Sequence, residues 1–143
     1  MKSSDKSAGL EFAFRLDHQS GVPVYRQLID QVQAAIATGA LSAGDQLPTV
    51  RRVAVDLAIN PNTVVRAYRE MEVRGILDTQ QGTGTFVAEG GQVERSKDDR
   101  ERMLSQLVTE FVARAGSSGF KIHELLKALQ QMSSEFEVEG KRR

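Results

Sequence analysis

The sequence predicts a mostly α-helical fold with a small β-wing: an N-terminal winged helix-turn-helix followed by a short two-helix segment. Three observations predict it. Two short amphipathic stretches, one from Val50 and one from Pro61, are separated only by Ala58-Ile59-Asn60. Two strand-like runs joined by a glycine-containing turn follow at once, between Ile76 and Val87. Beyond a polar linker come two further helical stripes.

Taken in order, residues 1–11 are polar and small and are expected to be disordered. Phe12, Phe14 and Leu16 alternate with Ala13 and Arg15, a period of two that predicts a short strand. Gly21 and Pro23 punctuate, and Pro23 suits a helix start because its missing N–H is no loss there. Leu28, Val32, Ala35 and Ile36 then recur at helical spacing, Tyr25 and Ile29 widen the stripe, and Gly39 stops it. Leu41 to Leu47 reads as a loop. Thr49 is an N-cap for a second helix with Val50, Val53, Ala54 and Leu57 inside. Asn60-Pro61 starts a third, with the Asn60 side chain expected to accept from the N–H of residue 63. Val64, Ala67, Tyr68 and Met71 line its inner face, and Gly75 ends it.

Residues Ile76 to Gln80 and Thr85 to Val87 read as strands joined by Gln81-Gly82-Thr83-Gly84. Ser96 with Asp99 resembles a capping box opening a helix whose stripe is Leu104, Leu107, Val108, Phe111 and Ala115. Gly116-Ser117-Ser118-Gly119 breaks it, and Ile122, Leu125, Leu126, Leu129 and Met132 form the last stripe. The expected organisation is a disordered N-terminus (1–11), a winged helix-turn-helix DNA-binding domain (12–88), a linker (89–95), a two-helix dimerisation region (96–135) and a flexible tail (136–143).

Composition narrows the function classes. The absence of Cys excludes disulfides and thiolate metal sites and fits a reducing cytoplasm. No apolar run approaches the ~18 residues of a membrane span, and Met1 to Leu10 lacks the apolar core of a signal peptide. The expectation is a soluble cytoplasmic protein with no membrane partner and no cofactor. Net charge is zero, and it is zero in every part: residues 1–44 carry four charges of each sign, 45–88 five, and 89–143 ten. Positive charge for a DNA ligand must therefore be sorted by face and not by domain. Between 47 and 66, Arg51, Arg52 and Arg66 stand against Asp56 alone.

Helix geometry locates the chemistry. At about 100° per residue, Asn62, Arg66 and Arg69 fall opposite Val64, Ala67, Tyr68 and Met71, flanked by Thr63 and Val65. The second helix of such a pair lies in the major groove with its N-terminal residues on base edges. Asn pairs with adenine, Arg with guanine, and a Thr or Val methyl with the thymine methyl. Arg51 and Arg52, in the first turn of the second helix, are placed to meet phosphate. A polar outer face is by itself only a solvated face; the order of all the elements is what favours DNA.

Other chemistries fit worse. Gly82-Thr83-Gly84 lacks the Lys-Ser/Thr of a phosphate loop and opens no helix. His18 and His123 are isolated from any partner at ligand or triad spacing, and Asp98 and Asp99 suit a helix start. Lys141-Arg142-Arg143 reads as a solvated tail. Nothing suggests an enzyme.

Pro23-Val24-Tyr25, Gly44-Asp-Gln-Leu-Pro48-Thr-Val-Arg51, Asn60-Pro-Asn-Thr-Val64 with Arg66-Ala-Tyr68, and Gly82-Thr-Gly-Thr-Phe-Val87 together resemble the DNA-binding domain of the GntR family of transcription regulators. The Asn60–Val64 run and the short C-terminal part resemble its YtrA-like branch. The resemblance implies that Arg51 binds backbone phosphate, that Asn60, Asn62 and Thr63 sit at the groove, and that the Gly82–Gly84 tip reaches the minor groove. The interface drawn from residues and resemblance together is Arg51, Arg52, Asn60, Asn62, Thr63, Arg66, Gln81, Gly82, Thr83 and Gly84. Thr49 stands where Ser is commoner and keeps the capping hydroxyl. Val65 stands where other branches place a base-reading Arg, so their operators do not transfer. The resemblance further implies a repressor, with a transporter operon as the associated target of the branch.

Two amphipathic helices cannot both bury their stripes on each other and wall a ligand cavity of about 300–1,000 Å³. A second copy of the chain, forming a four-helix interface with two-fold symmetry, is the economical answer. The expected interface is Leu104, Leu107, Val108, Phe111, Ile122, Leu125, Leu126 and Leu129. The expected partners are thus double-stranded DNA bearing a palindrome and a second copy of the chain; no small-molecule effector is identified. The alternative from another class is a winged-helix protein-interaction module that does not read DNA.

Overall fold

The computed structural model describes residues 12–89 and 95–141. In chain order it has α1 (Val24–Thr38), α2 (Val50–Leu57), α3 (Pro61–Val73), β1 (Leu77–Gln80), β2 (Gly84–Val87), α4 (Lys97–Ser117) and α5 (Ile122–Lys141). The chain divides into two compact units, one reaching Gly91 and a helical one spanning Gln92–Val138. The expected disorder of residues 1–11 lies outside the described residues, as does most of the expected linker.

The first unit is built around three helices that share one core. Leu28, Ile29, Val32 and Ala35 from α1, Val53 and Ala54 from α2, and Val64, Ala67, Tyr68 and Met71 from α3 are buried together with Phe14, Leu41, Leu47, Leu77 and Val87. The helix starts are fixed locally. The Thr49 hydroxyl accepts from the N–H of Arg52 at 3.1 Å. At α3 the Asn60 Oδ1 accepts from the N–H of Asn62 at 2.8 Å and not from residue 63 as expected. The N–H of Thr63 bonds instead to the Asn60 backbone carbonyl at 3.0 Å. The short amide side chain closes the tighter i to i+2 turn that Asn favours. Between α2 and α3, Ala58 adopts φ 54° and reverses the chain.

The strand expected at residues 12–16 does not form. The backbone groups of Arg15, and of Asp17 just beyond it, are bonded by two side chains of α1 and not by a neighbouring strand. Gln31 accepts from the N–H of Arg15 at 2.8 Å and donates to its carbonyl at 2.5 Å. Gln27 accepts from the N–H of Asp17 at 2.9 Å and donates to its carbonyl at 3.0 Å. The alternation is real, since Phe14 is buried and Phe12 packs on the core, but it records one face laid on a helix.

The wing is antiparallel, with Leu77 opposite Val87, Asp78 opposite Phe86, Thr79 opposite Thr85 and Gln80 opposite Gly84. The segment read as a loop before α2 adds to it. Gln46 bridges to Phe86, and the N–H groups of Leu47 and Val87 reach the carbonyls of Thr85 and Asp45, each at 2.8 Å.

In the second unit, the Ser96 hydroxyl accepts from the N–H of Asp99 at 3.1 Å, opening α4. Asp98 and Asp99 lie in its first turn, where the helix dipole favours them. The helix passes through Gly116 and ends at Ser117, and α5 continues to Lys141, past the end expected at residue 135.

Candidate nucleic-acid interface

Helix α3 has two faces of opposite character. Val64, Ala67 and Met71 are fully buried and Tyr68 is 3% exposed. On the other side Asn62, Arg66 and Arg69 are exposed, with Thr63 and Val65 half-buried beside them. Asn62, Val65, Arg66, Arg69 and Glu70 line an open depression along this face. The inner face is clamped at one further point, where the Tyr68 hydroxyl donates to the Pro48 carbonyl at 2.6 Å. That bond ties α3 to the residue preceding the Thr49 cap, and so to the start of α2.

The charged side chains differ in how far they are already engaged. Arg51 is exposed and carries no ion pair among the described residues. Arg52 lies 3.6 Å from Asp56 on an exposed surface. Arg66 lies with its guanidinium 3.7 Å from the centroid of the Tyr25 ring. Glu70, one turn further along α3, is paired at 2.9 Å with Arg74. Sequence reading placed Tyr25 in the core stripe of α1 and in the Pro23-Val24-Tyr25 motif but missed this contact; an aromatic at the start of one helix and an arginine 41 positions on carry no local signature.

The wing tip is braced by a residue that sequence reading also missed. Gln46 donates through Nε2 to the Thr83 carbonyl at 3.2 Å. Gly82 has φ 80° and Gly84 φ 135°, and a Cβ at Gly84 would stand 2.5 Å from that same Nε2. On the α3 side, the Thr79 hydroxyl donates to Glu72 Oε1 at 2.5 Å. Gln81, Gly82 and Thr83 are exposed and Gly84 is half-buried. All ten residues expected to meet DNA therefore lie in the first unit and reach solvent. The Asn60 Oδ1 is engaged by the cap of α3.

In the second unit, Leu104, Leu107, Val108, Phe111, Ile122, Leu126 and Leu129 are between 46% and 60% exposed, and Leu125 is half-buried. Met103, Phe120 and Met132 extend this open apolar surface. Among the described residues no group of His, Asp and Glu could hold a metal ion, and no helix is long and apolar enough to cross a membrane.

Residues 24–87 match the model of the bacterial regulatory proteins, gntR family. The chain is 36% identical over 118 residues to the HTH-type transcriptional repressor YtrA of Bacillus subtilis, covering 80% of this chain and 90% of that protein. A transcriptional antiterminator from Listeria monocytogenes superposes with a TM-score of 0.63 at 26% identity, over 88% of this chain and 93% of that one. A transcriptional regulator from Oenococcus oeni does so with a TM-score of 0.52 at 35% identity, over 82% and 96%.

Proposed function

The chain belongs to the GntR family of DNA-binding transcription regulators, and on that premise we propose that it acts as a homodimeric repressor reading a palindromic operator. One observation carries the dimer. The stripes of α4 and α5 remain about half open to solvent, whereas contiguous apolar patches beyond a few hundred Å² are unusual on soluble monomers. A second copy covers them in a four-helix interface, and its two-fold axis sets two recognition helices about one turn of DNA apart. The similarity to a protein named as a repressor supports repression.

In this reading Arg51 and Arg52 meet phosphate, which sets register without sequence information. Asn62, Thr63 and Arg66 face base edges, Asn60 holds the start of α3 at the groove, and Gln81 to Gly84 let the backbone approach the sugar-phosphate of the minor groove. Cytoplasmic residence and a transporter operon as target belong to the same proposal. Sedimentation of the full chain at micromolar concentration tests the dimer. Selection from a random duplex library tests the rest: a two-fold symmetric consensus is expected, with affinity falling steeply as salt rises. A monomer, or DNA binding without sequence preference or salt dependence, overturns the proposal.

A further inference from the structure

The contact between Arg66 and Tyr25 links the outer face of α3 to the first turn of α1. An arginine on an exposed helix face samples many rotamers, and one that reads a base must present its planar N–H fork in a single orientation. A carboxylate neighbour would hold it, but would also neutralise it and occupy that fork. The first unit shows this elsewhere, in Arg52 with Asp56 and Arg74 with Glu70. Arg66 is held differently. Glu70, the carboxylate one turn along, is taken by Arg74, and the guanidinium lies over the face of an aromatic ring at 3.7 Å.

A ring face attracts the cation through its quadrupole while leaving the charge intact and the N–H edges free. The ring itself is fixed from another element. Tyr25 stands in the first turn of α1, half-buried and packed against the core, so the ring is held on a different element from the arginine it faces. We infer that Tyr25 is a positioning residue for base recognition, holding the Arg66 guanidinium flat, charged and open-edged at the groove face before DNA arrives. This rests on the proposed base-reading role of Arg66. Its consequence is that part of the sequence preference resides in α1, which touches no base.

The test uses the full chain, an operator found by selection, and duplexes altered at each position in turn. Arg66→Ala is measured first and is expected to flatten preference at one position. At that position Tyr25→Leu, which keeps an apolar side chain on the core, is expected to lower the preference about two- to fivefold per half-site, the range of an exposed cation–π contact. Binding to a scrambled duplex should hold steady, Tyr25→Phe should behave as the parent, and Tyr25→Leu should change nothing further in an Arg66→Ala background. In the DNA-free parent protein, the Arg66 side-chain resonances should be shifted upfield by the ring, a measurement that needs no variant to fold. If Arg66→Ala leaves every base preference intact, the base-reading role falls and the inference with it. If it flattens one while Tyr25→Leu does not, the role stands and the positioning inference alone is overturned. Equal losses on operator and scrambled duplex, or unshifted Arg66 resonances, overturn it as well.

Discussion

Replacing Gly84 by Ala separates two contributions that meet at the wing tip. The backbone there has φ 135°, and the added methyl would stand 2.5 Å from Gln46 Nε2. The collision is with the far end of a flexible side chain, so Gln46 can swing aside at the loss of its 3.2 Å bond to the Thr83 carbonyl. An exposed hydrogen bond of this kind contributes about 0.5–1.5 kcal/mol. The backbone conformation cannot relax in the same way, and strain there costs about 1–3 kcal/mol. Gly84→Ala is therefore expected to destabilise by about 2–4 kcal/mol, and Gln46→Ala by only about 1. In a Gln46→Ala background the bond is already gone, so Gly84→Ala should cost less by about the value of that bond. Urea unfolding of the four full-length proteins measures all three differences, provided the slopes agree. A Gly84→Ala protein within 0.5 kcal/mol of the parent would refute the strain argument. Equal costs in the two backgrounds would refute the brace.

Three more outcomes are expected. Asn60→Ala should lower stability by about 1 kcal/mol without DNA present, while Asn60→Ser should restore most of it; an unchanged thermal midpoint in Asn60→Ala would show that the 2.8 Å bond to the Asn62 N–H carries no stability. Arg51→Ala should weaken operator and random duplex alike and reduce the salt slope by about one unit per half-site, whereas Arg66→Ala should cost ~1–3 kcal/mol at one base position; binding assays over a salt series distinguish the two. Leu107→Glu with Phe111→Glu should shift sedimentation from dimer to monomer while leaving the first unit's unfolding transition in place, since both residues are already half open in the single chain.

How much of this was legible in the sequence depended on how local each cause is. Thr49, Asn60-Pro61 and Ser96 mark helix starts by bonds that span two or three residues, and the structure has helices starting at each. The opposition of Val64, Ala67, Tyr68 and Met71 to Asn62 and Arg66 follows from helix periodicity alone. The local misses are small, a cap one residue nearer and a helix a few residues longer; the larger ones are non-local. Phe12 to Leu16 alternate like a strand, but Arg15 is bonded by Gln31, and Asp17 just beyond by Gln27, residues that any helix could carry on its surface. Gln46 lies in a stretch without helical or strand periodicity, and its bridge to Phe86 spans the whole of α2, α3 and β1. Tyr25 was legible as a core residue, which it partly is, and that reading concealed its second contact.

The two-sidedness of α3 has a consequence for how such regulators diverge. Its four inward residues are almost completely enclosed, and the packed interior resists changes of even a methylene there. Its outward residues touch little, and substitutions at exposed positions usually alter stability by less than about 0.5 kcal/mol. Asn62 and Arg69 can thus be rewritten one at a time, each variant folding as well as its ancestor, and the address on the DNA can drift while the scaffold stands still. Position 66 is the exception. Its side chain lies on a ring from another helix, so a change there leaves Tyr25 without its cation, and the two positions are expected to evolve as a pair across descendants of this chain.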